Sequence, residues 1–141
     1  MSRQKIPLHL RKAIWYAYDS KSGYEGVPIP FTKMEIDHII PERVTLNPRK
    51  PDEFQKWKEK YNLSNDFNIQ GIENLCPSTR EFNLRKSDKG LYDESGAYDG
   101  HIIRALTRAA ELNPNIEHLK DKFKEDLDKR NTKKIIDVLN L

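Results

Sequence analysis

Lys33-Met34-Glu35-Ile36-Asp37-His38-Ile39-Ile40-Pro41 is the stretch on which the fold turns. Met34 and Ile36 are apolar, while Lys33, Glu35 and Asp37 between them are polar. That period of two predicts a half-buried strand over Lys33–Asp37. Pro41 cannot donate to a ladder, so the strand has to end near His38. Downstream, Ile72 to Cys76 reads as a short second strand ended by Pro77. Ser78-Thr79-Arg80-Glu81 then matches a capping box, with Ser78 as N-cap and Glu81 reaching back. The helix it opens runs through Asn83 to about Lys86. The order is strand, Asp37-His38, long connection, Asn74, strand, helix, Asn83. It predicts an α+β core, a short antiparallel hairpin followed by a helix, with polar groups at the junctions.

Helical elements flank this core. Pro7 to Tyr18 predicts a first helix, with proline in the first turn and Leu10, Ile14 and Tyr18 at one-turn spacing. Ser20 to Pro30 carries Gly23, Gly26, Pro28 and Pro30 and reads as loop. The long connection holds a helix from Pro51 to Tyr61, with Phe54, Trp57 and Tyr61 on one face and Asp52 and Glu53 in its first turn. Ser87 to Gly100 reads as loop. Three helices follow. Asp99 caps one carrying Ile102, Leu106 and Ala109. Asn113-Pro114 starts one carrying Ile116, Leu119, Phe123 and Leu127, and Asn131 caps one carrying Ile135 and Leu139. The 141 residues suit one domain: an N-terminal helix and loop over 1–32, a core over 33–88 and C-terminal helices over 99–141.

Composition narrows the classes. A hydrophobic fraction of 36% beside 33% charged residues implies a modest core with much solvated surface. A net charge of +3 is too mild to indicate a nucleic-acid partner by itself. The chain has no apolar run of about 18 residues, so no membrane partner is expected, and the N-terminus lacks a secretory h-region. The lone Cys76 forms no internal disulfide and no Cys-based zinc ribbon, which fits a cytoplasmic location.

Glu35-Ile36-Asp37-His38-Ile39-Ile40-Pro41, Glu73-Asn74-Leu75-Cys76-Pro77 and Asn83-Leu84-Arg85-Lys86 together resemble the three parts of an HNH endonuclease. In that family an Asp-His pair is followed by apolar residues and proline. An Asn-Leu pair precedes a short strand, and a His or Asn stands three residues before a Lys. The resemblance implies the ββα-metal fold and metal-dependent hydrolysis of DNA phosphodiester bonds, with RNA left open as a substrate. It implies His38 as general base, suited by an imidazole that titrates near neutrality. Asp37 and Asn83 would hold one Mg²⁺ or Mn²⁺, an oxygen donor pair appropriate to such ions. Asn74 would pin the loop that orients His38, and the products would carry a 5′ phosphate and a 3′ hydroxyl. Paired Cys-x-x-Cys motifs, which bind structural zinc in many members, are missing, so no structural zinc is expected. Packing by Ile29, Phe31 and the first helix has to replace it.

The remaining candidates are weaker. Glu35 shares the strand face of Asp37 and is an extra ligand or, more simply, a solvated carboxylate. Lys86, one turn from Asn83, is a candidate phosphate contact, and Arg43, Arg80, Arg85 and Lys89 are candidate nucleic-acid contacts. In a regular strand Asp37 and His38 point to opposite faces, so both reach one phosphate only if the strand ends or twists at His38. His9, His101 and His118 read as surface or packing residues, Cys76 as a buried thiol, and the Trp57 stripe as packing or a substrate-binding insertion. Restriction or phage defence is the setting expected. The alternatives are a non-catalytic nucleic-acid-binding domain on the same scaffold, or a subunit that its C-terminal helices bring to a partner protein or a second copy.

Overall fold

The structure, a computed structural model, describes residues 4–46, 52–86 and 96–139. It is a mixed helix-and-strand fold. Helix α1 spans Leu8–Ala17, and strands β1 (Glu35–His38) and β2 (Leu75–Ser78) form a two-stranded antiparallel sheet. Between the strands lie the short helix α2 (Arg43–Leu46) and α3 (Glu53–Tyr61); α4 (Arg80–Lys86) and the long α5 (Asp99–Leu139) follow. No helix among the described residues is long and apolar enough to cross a membrane.

The hairpin forms close to where it is expected, β1 one to two residues later and β2 two to three residues later. Glu35 faces Ser78, Ile36 faces Pro77, Asp37 faces Cys76 and His38 faces Leu75. Pro77 therefore does not end β2 but lies inside it. With only two strands, each has a free edge, and a proline is tolerated where its nitrogen points outward. The outward direction is visible in its carbonyl, which accepts from the Gly23 amide at 2.9 Å on the side away from β1. Gly23 comes so close that a Cβ there would lie 2.6 Å from that of Cys76. Only glycine permits this approach. Every residue of β2 is buried, whereas those of β1 are half-buried.

The core lies between this sheet and the α1–α5 pair. Leu10, Ala13, Ile14 and Ala17 of α1 meet a stripe of Ile102, Ala105, Ala109 and Ile116 on α5. The expected three C-terminal helices are one. The stripe runs without interruption past Asn113-Pro114, so packing overrides a start signal that is only local. Pro114 is itself exposed, and so is Ala110 four residues earlier, whose carbonyl lost its helical donor. Water can meet that carbonyl. Asn131 likewise lies inside α5 rather than capping a helix. Burial ceases after the half-buried Phe123, which packs on Tyr16. From Lys124 onward every described side chain is exposed, Leu127 and Leu139 included.

Two smaller devices complete the frame. Trp15 donates to the Ile29 carbonyl at 2.8 Å and meets Phe31 edge-on at 5.6 Å, which ties the 28–31 segment to α1 by packing. In α3, Trp57 is fully buried beside Tyr61, so the stripe packs into the core as expected. Tyr61 and Lys60 both reach Asp99, at 2.8 and 3.2 Å, which anchors α3 to the start of α5.

Asn74 joins the two strands at the His38–Leu75 end of the hairpin, where the connection between them begins and ends. It is fully buried, in a 3-10 turn (Ile72–Asn74) before β2. Its Oδ1 accepts from the Ile40 amide at 2.7 Å. Its Nδ2 donates to the carbonyls of Ile40 (2.9 Å) and Ile69 (2.7 Å), and its own carbonyl accepts from the Ile39 amide at 2.8 Å. The chain leaving His38 is thus held as if by one more rung of sheet. Asn74→Ala orphans three buried backbone groups, and urea denaturation should show a loss of about 3 kcal/mol or more.

Candidate active site

Helix α4 crosses the Glu35–Asp37 face of β1. Its cap is Thr79 rather than Ser78. The Phe82 amide donates to Thr79 Oγ1 at 3.1 Å, while Ser78 is taken into β2. The cap therefore shifts by one residue, and with Phe82 rather than Glu81 at the third helical position the expected capping box is not formed. Phe82 is buried and stacks on Tyr24 at 4.4 Å, which turns Asn83 and Lys86 toward the strand. Asn83 Nδ2 donates to Glu35 Oε1 at 3.0 Å. Lys86 bonds Asp37 Oδ2 in a short ion pair. Alternation in the strand and one turn of helix thereby match two pairs of side chains.

Lys86 is buried and its ammonium has three acceptors: Asp37 Oδ2, Tyr24 Oη at 2.9 Å and the His38 carbonyl at 2.7 Å. A lysine has three protons to give, so all are engaged. The expectation of Lys86 as a phosphate contact is corrected accordingly, since its protons are taken by groups of the chain itself. Tyr24 also donates to Asp37 Oδ2, at 2.5 Å. Burial, and then the nearby Cys76 and Asp37, hold its phenol well above the usual range. The Asp37 side chain keeps 21% exposure, so the carboxylate is braced from within yet reachable from solvent.

His38 points elsewhere, as strand alternation requires. Its Nε2 lies 2.8 Å from Gln4 Oε1 and its Nδ1 lies 3.5 Å from Glu42 Oε1. The Gln4 amide is oriented by its own donor, Nε2, which bonds the Gln70 carbonyl at 2.9 Å, leaving Oε1 toward the ring. Glu42 Oε2 accepts in turn from the backbone N–H of Gln4 at 3.2 Å and from Gln70 Nε2 at 3.4 Å. Gln4 Oε1 can only accept, so His38 Nε2 is the donor in that bond. Burial is the largest influence on the imidazole and lowers its pKa below the usual value. Glu42 and Asp37 oppose this by raising it, and Lys86 adds to the lowering. The side chain retains 14% exposure.

Asn83 Oδ1 is buried and has no hydrogen-bond partner among the described residues. A buried acceptor without a donor is uncommon and invites a cation or a donor from a ligand. Among the described residues no three His, Cys, Asp or Glu side chains gather as a ligand group. An ion beside Asn83 would therefore draw on Asp37 and Glu35 carboxylates and this amide oxygen. Those donors fit a hard divalent cation that keeps several waters. Lys86 already neutralises part of Asp37, so such an ion would share that carboxylate with the ammonium.

The other candidates are dispersed. Arg43 is exposed and lies 3.6 Å from Glu53; Arg85 is exposed and lies 3.7 Å from Glu25; Arg80 is exposed. Lys89 lies outside the described residues. His101 packs edge-on against Phe82 and bonds the Tyr24 carbonyl at 3.1 Å. Tyr24, Gln4, Glu42 and Gln70 escaped the sequence reading. Glu42, four residues after His38, was the one with a visible signal. Comparison with protein-family models, with curated proteins and with solved structures finds no match for this chain.

Proposed function

We propose that the chain is an HNH-like endonuclease, with β1, β2 and α4 as a ββα-metal core that hydrolyses nucleic-acid phosphodiester bonds. The observation that carries this reading is the convergence of Asn83 and Lys86 on Glu35 and Asp37, with the Asn83 oxygen left unpartnered. His38 follows directly on the same strand.

His38 Nδ1 is the proton acceptor. It takes a proton from a water, whose oxygen forms the new bond to phosphorus as the bond to the 3′ oxygen breaks. The leaving oxygen takes its proton from solvent, giving a 5′ phosphate and a 3′ hydroxyl. Gln4 holds the tautomer, and Glu42 faces the nitrogen that becomes positive, which stabilises the imidazolium. Asp37, Asn83 and Glu35 hold a divalent ion. When bound, Mg²⁺ or Mn²⁺ offsets negative charge on the phosphate and on the leaving oxygen. Lys86 and Tyr24 fix the Asp37 carboxylate, and Lys86 also fixes the His38 carbonyl.

A second reading, a nucleic-acid-binding domain without catalysis, is favoured by one observation. Lys86 occupies Asp37 as a cation in its own right. Supercoiled plasmid separates the two. With Mn²⁺ the wild type should nick it, and His38→Ala should be slower by at least about 100-fold. Equal nicking by both proteins would remove His38 from the chemistry, and metal-independent binding without nicking would support the second reading.

The pH dependence follows from the ring's surroundings. The base acts when neutral, so the rate falls as pH drops through the His38 pKa, which lies below the usual imidazole value. Glu42 raises that pKa. Glu42→Gln should therefore move the acidic limb of the rate profile to lower pH and slow the plateau. An unmoved limb would show that Glu42 does not act on the base.

A further inference from the structure

Outside this centre, the segment after α1 and helix α5 enclose a cavity of about 280 Å³. Lys21, Arg104 and Arg108 contribute three cations to its lining, against one carboxylate, Asp19. Arg108 has a long pair with Glu111 at 3.7 Å, both partly in solvent. Lys21 and Arg104 have no ion pair among the described residues. Arg104 is nevertheless not loose. Its guanidinium lies against the backbone of Gly26, where a Cβ would come within 2.4 Å of Nη2. Gly26 is in the left-handed region at φ +70°, so glycine suits both the turn and the seat of the arginine. The loop that walls this cavity also carries Tyr24, whose hydroxyl braces Asp37. Gly23, in the cavity wall, is bonded to Pro77 of β2.

We propose that this cavity binds a phosphate group of the nucleic-acid strand presented to the Asp37–His38 centre, a reading that rests on the proposed endonuclease function. A planar guanidinium and an ammonium in a recess with excess positive charge match a phosphate's several acceptor oxygens. Such a contact would set the position of the strand and carry no sequence information. The recess and the Asp37 carboxylate share one loop, whose Gly23 lines the recess and whose Tyr24 bonds Asp37.

The test is anisotropy of a fluorescein-labelled duplex oligonucleotide in EDTA, using the full chain and Lys21→Ala/Arg104→Ala. Both side chains are exposed, so the fold should survive their removal. The double variant should bind roughly tenfold more weakly, with a salt slope shallower by about one. Inorganic phosphate, titrated against ¹⁵N-labelled protein, should shift the Gly23 and Gly26 amides in the wild type and not in the variant. In plasmid cleavage the variant should show raised KM and unchanged kcat. Wild-type affinity and slope in the variant, or no shift of the two amides, would overturn the cavity assignment. If the wild type still nicks plasmid in that case, the endonuclease reading stands without it. Binding that depends on Lys21 and Arg104, with no cleavage under any metal, would keep the phosphate site and overturn the endonuclease reading.

Discussion

One buried ammonium holds the centre of this fold together. Lys86 joins the end of α4 to a strand carboxylate, to a loop tyrosine and to the backbone of His38. Removing an ammonium from water is costly, and only near-complete pairing offsets that cost. Here the pairing is complete, since each proton has an acceptor. The consequence is positional. At seven residues α4 is too short to be stable from its own backbone bonds, so its docking depends on Phe82 in the core and Asn83 and Lys86 at the strand. With α4 fixed, the Asp37 carboxylate has a defined direction and the strand has a defined end.

The strand keeps its alternation through His38. Asp37 and His38 are neighbours in sequence and point to different surroundings, one toward α4 and Tyr24, the other toward Gln4, Glu42 and Gln70. Asn74 then takes over from the ladder and holds Ile39 and Ile40. The result is two microenvironments a single residue apart. One is negative and braced by a cation, suited to holding a metal. The other is partly desolvated, which lowers the imidazole pKa, while the Glu42 carboxylate beside it raises it.

Much of the hairpin and its helix was legible in the chain because their signals are local. Alternation at Met34–Asp37, proline after His38 and a polar cap before Phe82 each act within a few residues. Where signals depended on distant packing, the reading failed. Asn113-Pro114 looks like a helix start, yet the stripe from Ile102 to Phe123 meets α1 and carries the helix through. Pro77 looks like a strand end, yet a two-stranded sheet leaves its nitrogen free to face outward. Ser78 and Thr79 are both good caps, and only the pairing of Ser78 with Glu35 decides between them. Within the site, Asp37, His38, Asn74 and Asn83 stand out by motif. Lys86 stood out too, but its burial could not be read because its acceptors come from Tyr24 and a backbone carbonyl. Gln4 and Gln70 carry no local signal at all, since they meet His38 and Glu42 only in the folded chain.

The central claim is that Asn83 and Asp37 form a metal site, and the buried amide oxygen is its most specific element. Calorimetric titration of Mn²⁺ into wild type and Asn83→Ala tests it without reference to substrate or turnover. The account predicts one site per chain in the wild type and affinity weaker by at least about tenfold in the variant, with both proteins equally folded. Equal Mn²⁺ affinity in the two proteins would contradict it.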